Sequence, residues 1–213
     1  MEESERINIM VYIVGIGPGA ADYIIPKAEK TMKNSDVVIG FERAIKSLDY
    51  INQKKIVVDS FSKILEFIKH NRDKNISVAA SGDPCFYGIT DYFNRNFHGE
   101  FEVISGISSF QYLMSKVGKS WQHARLYSLH GREEKLIERV KNNKLTVWLT
   151  DKNNTPNYIC SELIKNHINA QVYVGENLSY EDEKISKGTA EEIHKKNYSS
   201  LCVVVIENGD DLA

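Results

Sequence analysis

Three short loops hold the residues whose types and spacing could do chemistry. They are Gly15-Ile16-Gly17-Pro18-Gly19, Ser81-Gly82-Asp83-Pro84 and Ser105-Gly106-Ile107-Ser108-Ser109. The first is the kind of glycine turn that cradles a phosphate, but Pro18 removes one amide donor and fixes its φ near about −65°. A dinucleotide site would need G-x-G-x-x-G and an acidic ribose partner about 20 residues on. Asp36 lies near that distance, yet it precedes a strand instead of ending one. The loop therefore suits shape and close approach better than phosphate binding. Asp83 either caps a helix starting near Pro84 or lines a ligand pocket together with Gly82. Ser108 and Ser109 stand where a helix N-cap would be, beside amides that could meet a ligand carboxylate.

The elements that must position these loops follow from hydrophobic periodicity. Residues 10–14, 37–39, 56–58, 76–80 and 101–104 read as strands, with helical spacing over 23–33, 62–72 and 86–96 between them. That alternation predicts a mostly parallel sheet covered on both faces, with the three loops at one carboxyl edge. The pattern resumes with strands at 125–128 and 145–149, a helix over 133–141, and another starting near Thr155-Pro156, where proline suits the first turn. Residues 171–176 and 184–187 read as antiparallel strands around a polar connection, and 201–206 as a closing strand. The fold class is α/β, in two α/β domains: an N-terminal one over residues 1–115 and a C-terminal one with a mixed sheet over 116–213. Residues 1–9 read as an extension with little structural role.

A formal net charge of −2 argues against a nucleic-acid surface. Apolar runs such as 201–206 fall far short of the about 20 residues a membrane helix needs. The first residues are charged and have no apolar core, so they do not read as a secretory signal. The three cysteines, Cys85, Cys160 and Cys202, are widely spaced, which fits a reducing cytoplasm and no disulfide framework. The six histidines form no metal-ligand pair, so no bound metal is expected.

Residues 14–28 (VGIGPGAADYIIPKA), 80–89 (ASGDPCFYGI) and 105–109 (SGISS) together resemble the tetrapyrrole (corrin/porphyrin) methyltransferases, which use S-adenosyl-L-methionine. Trp121, residues 128–132 (SLHGR) and 176–183 (ENLSYEDE) are similar to one branch, the CbiE-like C5-methyltransferases of cobalamin biosynthesis. The resemblance runs from about residue 10 to residue 207. One departure is Ile25, where many members carry threonine. The chain also ends without the C15-methyltransferase/decarboxylase domain fused to some relatives, so functional coupling to a separate one is expected.

The resemblance implies two α/β/α domains, a likeness to homodimers, and S-adenosylmethionine in the cleft between the domains. It implies cofactor contacts at Gly82, Asp83, Phe86, Ser108, Ser109, Leu149, Thr150, Asn177 and Leu178. It puts a small-molecule tetrapyrrole substrate, without nucleic acid or membrane, near Gly15, Gly17, Pro18, Gly19, His130, Arg132 and Tyr180. Arg132 has a clear physical case, since the macrocycle carries carboxylate arms and guanidinium binds carboxylate bidentately. Glu181 and Glu183 are weaker candidates, and Trp121 and Trp148 read as core or cleft wall. No catalytic base is singled out, because an electron-rich meso carbon needs little or no base for methylation itself. The competing readings are a relative acting on a diphthamide precursor or ribosomal RNA, and a non-catalytic tetrapyrrole- or nucleotide-binding module.

Overall fold

The computed structural model describes residues 10–209, so the expected extension at residues 1–9 lies outside the described residues. The chain divides into two compact units, one ending at Ser108 and the other beginning at Ser109.

In the first unit, β1 (Val11–Gly15), α1 (Pro26–Lys33), β2 (Val37–Phe41), α2 (Glu42–Lys46), β3 (Lys54–Val58), α3 (Phe61–His70), β4 (Ile76–Ala80), α4 (Thr90–Asn96) and β5 (Phe101–Ile104) alternate along the chain. The strands form one sheet in the order β3-β2-β4-β1-β5, and every pairing is parallel. Strand side chains alternate between faces, and that alternation sorts the core. Val14, Val38 and Ala79 pack with Ala28, Met32, Ile45 and Leu48 of the α1 and α2 side. Val11, Ile13, Ile39, Ile76 and Val78 pack with Ile64, Ile68 and Phe93 of α3 and α4. The adjacent strands β1 and β4 thus send their connections to opposite faces, which opens a crevice at their carboxyl ends.

The second unit runs α5 (Ser109–Lys116), β6 (Arg125–Ser128), α6 (Leu136–Lys141), β7 (Leu145–Leu149), α7 (Pro156–Lys165), β8 (Ala170–Glu176), β9 (Lys184–Thr189), α8 (Ala190–His194) and β10 (Cys202–Asn208). Its sheet has the order β6-β7-β10-β8-β9, with β6 and β7 parallel and the other pairs antiparallel. Fully buried Trp148 anchors the core against Ile159, Leu163 and Val204, its indole N–H donating to Thr146 Oγ1 at 2.9 Å. Thr155 caps α7 by accepting the Tyr158 amide at 3.2 Å, and Pro156 fills the first turn. Thr189 and Glu192 close a capping box on α8.

Several elements differ from the sequence reading. The helix expected over 23–33 splits into a 3-10 turn (Ala21–Tyr23) and α1, because Pro26 starts a new first turn. The helix expected over 86–96 begins only at Thr90. Before it, Tyr87 sits at φ 50°, and a Cβ on Gly88 would strike the Pro84 carbonyl, so the segment is a folded loop. The helix expected over 133–141 begins at Leu136. Trp121 is 44 % exposed, its ring edge-on to Phe110 at 5.4 Å, and so is not core. No helix among the described residues is long and apolar enough to cross a membrane.

Candidate functional site

At the carboxyl edge of the first sheet, the three glycine loops meet backbone to backbone. A Cβ on Gly15 would lie 2.5 Å from the Gly106 amide nitrogen and 2.8 Å from Pro84 Cδ. One on Gly106 would strike the Gly82 carbonyl and lie 2.9 Å from Gly15 C. Neither position has room for a side chain. Past β1 and β4, Gly17 and Gly82 exchange two hydrogen bonds, Gly82 N donating to Gly17 O at 2.8 Å and Gly17 N to Gly82 O at 3.2 Å. Both amides are engaged and Pro18 has none, which withdraws donors that a phosphate cradle would use.

Asp83 completes the platform. Its Oδ2 accepts the Gly106 amide at 3.0 Å and its Oδ1 accepts the Cys85 amide at 2.8 Å. No helix starts near Pro84, since α4 begins at Thr90, so the capping alternative for Asp83 falls away. Asp83 instead makes an Asx turn and a clamp between the loops after β4 and β5. Phe86, half-buried, stands edge-on to Tyr87 at 5.0 Å. Buried Ser108 immediately precedes α5.

In the second unit, β6, β7 and β8 end at the same edge, since Ser128 pairs with Leu149, Leu149 with Val203, and Cys202 with Glu176. The loops after β6 and β7 are tied together. His130 Nδ1 lies 3.1 Å from the Thr150 carbonyl oxygen, and the His130 amide donates to Ser128 Oγ at 3.2 Å. Gly131, at φ 64°, donates its amide to Asp151 Oδ2 at 3.0 Å. Asp151 Oδ1 accepts the amides of Asn153 and Asn154 at 2.9 and 2.7 Å, while Asn154 Nδ2 donates to the Leu129 carbonyl at 3.0 Å. The amides of Asn154, Gly131 and Asn153 hold the Asp151 carboxyl well below the usual carboxylate range. The Thr150 hydroxyl donates its proton to the Cys202 carbonyl at 2.8 Å, so it has no donor left for a ligand.

After β8 the chain turns through two left-handed residues, Asn177 at φ 45° and Ser179 at φ 69°. The Asn177 amide donates to the Leu201 carbonyl at 3.1 Å, and its side chain donates to Asp182 Oδ2 at 2.6 Å. Glu183 Oε2 accepts the Ser179 amide at 2.6 Å, so this acid holds the turn. Buried Leu178 lies where a Cβ on Gly175 would come within 2.6 Å of it. Tyr180 is half-buried; Arg132 and Glu181 are exposed.

The proposed site residues thus fall into two groups. Gly15, Gly17, Pro18, Gly19, Gly82, Asp83 and Phe86 share the carboxyl edge of the first sheet, and Ser108 follows the loop after β5. His130, Arg132, Leu149, Thr150, Asn177, Leu178 and Tyr180 are in or next to the loops at one edge of the second sheet, and Ser109 opens α5. Asp151 and Asn154 escaped the sequence reading. Their signal was the Asp-Lys-Asn-Asn run directly after a strand, which is Asx-turn chemistry.

The sequence profile of the Tetrapyrrole (Corrin/Porphyrin) Methylases matches residues 10–194. The chain belongs to this family. Among tetrapyrrole methylases, the probable cobalt-precorrin-7 C(5)-methyltransferase of Methanocaldococcus jannaschii is 36 % identical over 95 % of this chain and 100 % of its own. The cobalt-precorrin-7 C(5)-methyltransferase of Salmonella typhimurium is 32 % identical over 83 % of this chain and 89 % of its own. Among solved structures, the uroporphyrin-III C-methyl transferase of Thermus thermophilus complexed with S-adenyl homocysteine has a TM-score of 0.75 at 20 % identity, covering 93 % of this chain and 92 % of its own. That likeness establishes the two-domain tetrapyrrole methylase fold.

Proposed function

We propose that this tetrapyrrole methylase is an S-adenosylmethionine-dependent C-methyltransferase acting on C5 of cobalt-precorrin-7 in cobalamin biosynthesis. The observation that carries the reading is the 36 % identity to the probable cobalt-precorrin-7 C(5)-methyltransferase of Methanocaldococcus jannaschii across that relative's entire length. The donor set agrees with the cofactor. The first-sheet edge offers backbone and the exposed hydroxyls of Ser81 and Ser105, while the Gly17 and Gly82 amides are taken by each other, and S-adenosylmethionine has no phosphate that would need them.

When bound, the cofactor supplies an electrophilic methyl carbon. Gly82, Asp83, Phe86, Ser108, Ser109, Leu149, Thr150, Asn177 and Leu178 are the residues proposed to hold it. Gly15, Gly17, Pro18, Gly19, His130, Arg132 and Tyr180 would hold the tetrapyrrole, with the Arg132 guanidinium taking a carboxylate arm. Much of the rate enhancement would come from orientation and exclusion of water, so rigid loops serve the reaction. A homodimer in the cytoplasm, functionally coupled to a separate C15-methyltransferase/decarboxylase, completes the reading.

The test is incubation with methyl-labelled S-adenosylmethionine and cobalt-loaded or metal-free precorrin-7, read by mass spectrometry. One added methyl group at C5 is expected. Calorimetry showing no binding of S-adenosylhomocysteine would overturn the reading.

A further inference from the structure

We infer that His130 is the general base that removes the C5 proton, with Nε2 as the accepting atom. The inference rests on the C5-methyltransferase reading above. A carbonyl oxygen can only accept, so the 3.1 Å contact between His130 Nδ1 and Thr150 O requires the proton on Nδ1. In the neutral ring that leaves Nε2 with its lone pair, on an exposed side chain. The tautomer is thereby fixed by the backbone, and the loop around the ring is fixed as well. Ser128 Oγ accepts the His130 amide, Asp151 accepts the Gly131 amide, and Asn154 holds the Leu129 carbonyl. An imidazole oriented by a third group is the arrangement that general-base catalysis uses.

Two carboxylates of the loops after β6 and β7 are already engaged. Asp151 accepts three backbone amides, and Glu134 pairs with Arg139 at 3.2 Å. Across the other candidate loops, Asp83 accepts two amides and Glu183 accepts that of Ser179.

The chemistry balances. C5 is a bridging carbon that carries one hydrogen; a π pair of the macrocycle forms its bond to the methyl group as the methyl–sulfur bond of the donor breaks, the pair staying on sulfur in neutral S-adenosylhomocysteine, and the macrocycle becomes cationic. The C5–H bond then breaks heterolytically. Its electron pair returns to the ring conjugation, and the proton passes to Nε2, giving a neutral macrocycle and an imidazolium that later releases the proton to water.

The test pairs two substitutions with a spectroscopic measurement. Asparagine places its side-chain nitrogen near the position of Nδ1, so His130→Asn keeps the donor to Thr150 O but has no base; His130→Ala loses both. His130→Asn is expected to lower kcat by about 100-fold or more, the range of general-base catalysis. It should leave the Kd for S-adenosylhomocysteine within about twofold. With substrate deuterated at C5, the variant should show a primary isotope effect larger than that of the wild type. In the protein without ligands, 15N NMR should find the neutral ring protonated at Nδ1. A ring protonated at Nε2, or a wild-type kcat in His130→Asn, overturns the inference while the methyltransferase reading stands. A wild-type protein that transfers no methyl overturns both.

Discussion

The Asp83 carboxylate reaches across the end of β1 to accept the Gly106 amide at 3.0 Å, joining the loops after β4 and β5. Its second oxygen holds the Cys85 amide of its own loop. Together with the paired amides of Gly17 and Gly82, this bond makes three loops into one platform. Asp83 shapes the candidate cofactor site by holding backbone in place.

Asp83→Ala should therefore cost about 1–3 kcal/mol of stability, the range for leaving a donor without its acceptor. It should also weaken S-adenosylhomocysteine and S-adenosylmethionine by the same factor. Calorimetry with both ligands checks this. A loss confined to the sulfonium form would mean that Asp83 acts by its charge on the ligand instead.

Gly106→Ala should be among the most damaging small substitutions in the first unit. Its Cβ would meet the backbone of two other loops, and the expected cost is about 3 kcal/mol. Gly118, at φ 65° with nothing near its Cβ position, is the natural comparison, and Gly118→Ala should cost only about 1 kcal/mol of backbone strain. Denaturant unfolding of the two variants measures the difference.

Thiol chemistry should separate the cysteines. Cys85 is exposed, whereas burial pushes the Cys160 thiol up to about 12 and the Cys202 thiol up to about 11. At neutral pH the native protein should react with a disulfide reagent at Cys85 alone, and with all three thiols once unfolded. Rapid labelling of Cys160 in the native state would contradict this.

The Asp151 carboxyl gives a signed pH dependence. Its folded value lies below the ordinary 3.8, so its contribution is complete above the ordinary value and is lost as the pH falls from there toward the folded value. The difference in melting temperature between wild type and Asp151→Asn should be flat from about pH 7 to about pH 5 and narrow below about pH 4. A difference that narrows toward alkaline pH would refute the assignment. The side chain is open to solvent, so the effect is expected to be small.

Much of this architecture was legible in the chain. β4, β5, β6 and β7 have the bounds that their apolar runs indicate, because β-branched and aromatic residues there bury against helices. The three glycine loops could be placed at one edge because parallel strands all end on the same side. Less legible was what the polar side chains in those loops bind. Asp83 reads locally as a cap, but its Gly106 partner lies 23 residues on, and only the closed sheet brings the two together. The Asp151 clamp was hidden for the same reason, its Gly131 partner being 20 residues back. Short α2 and α8 have too few residues for periodicity to declare them.

The strand orders of the two sheets carry a consequence for how the molecule is made. Every strand of the first sheet is in hand once residue 104 has left the ribosome, so that sheet can close early. The second cannot. Its seam is β10, the last strand among the described residues, and until residues 202–208 emerge, the β6–β7 pair and the β8–β9 hairpin are two separate fragments, each with an open edge. During synthesis that half of the protein is the one exposed to mispairing and to proteases. A stalled or shortened chain should fail there first, with the glycine-loop unit already built.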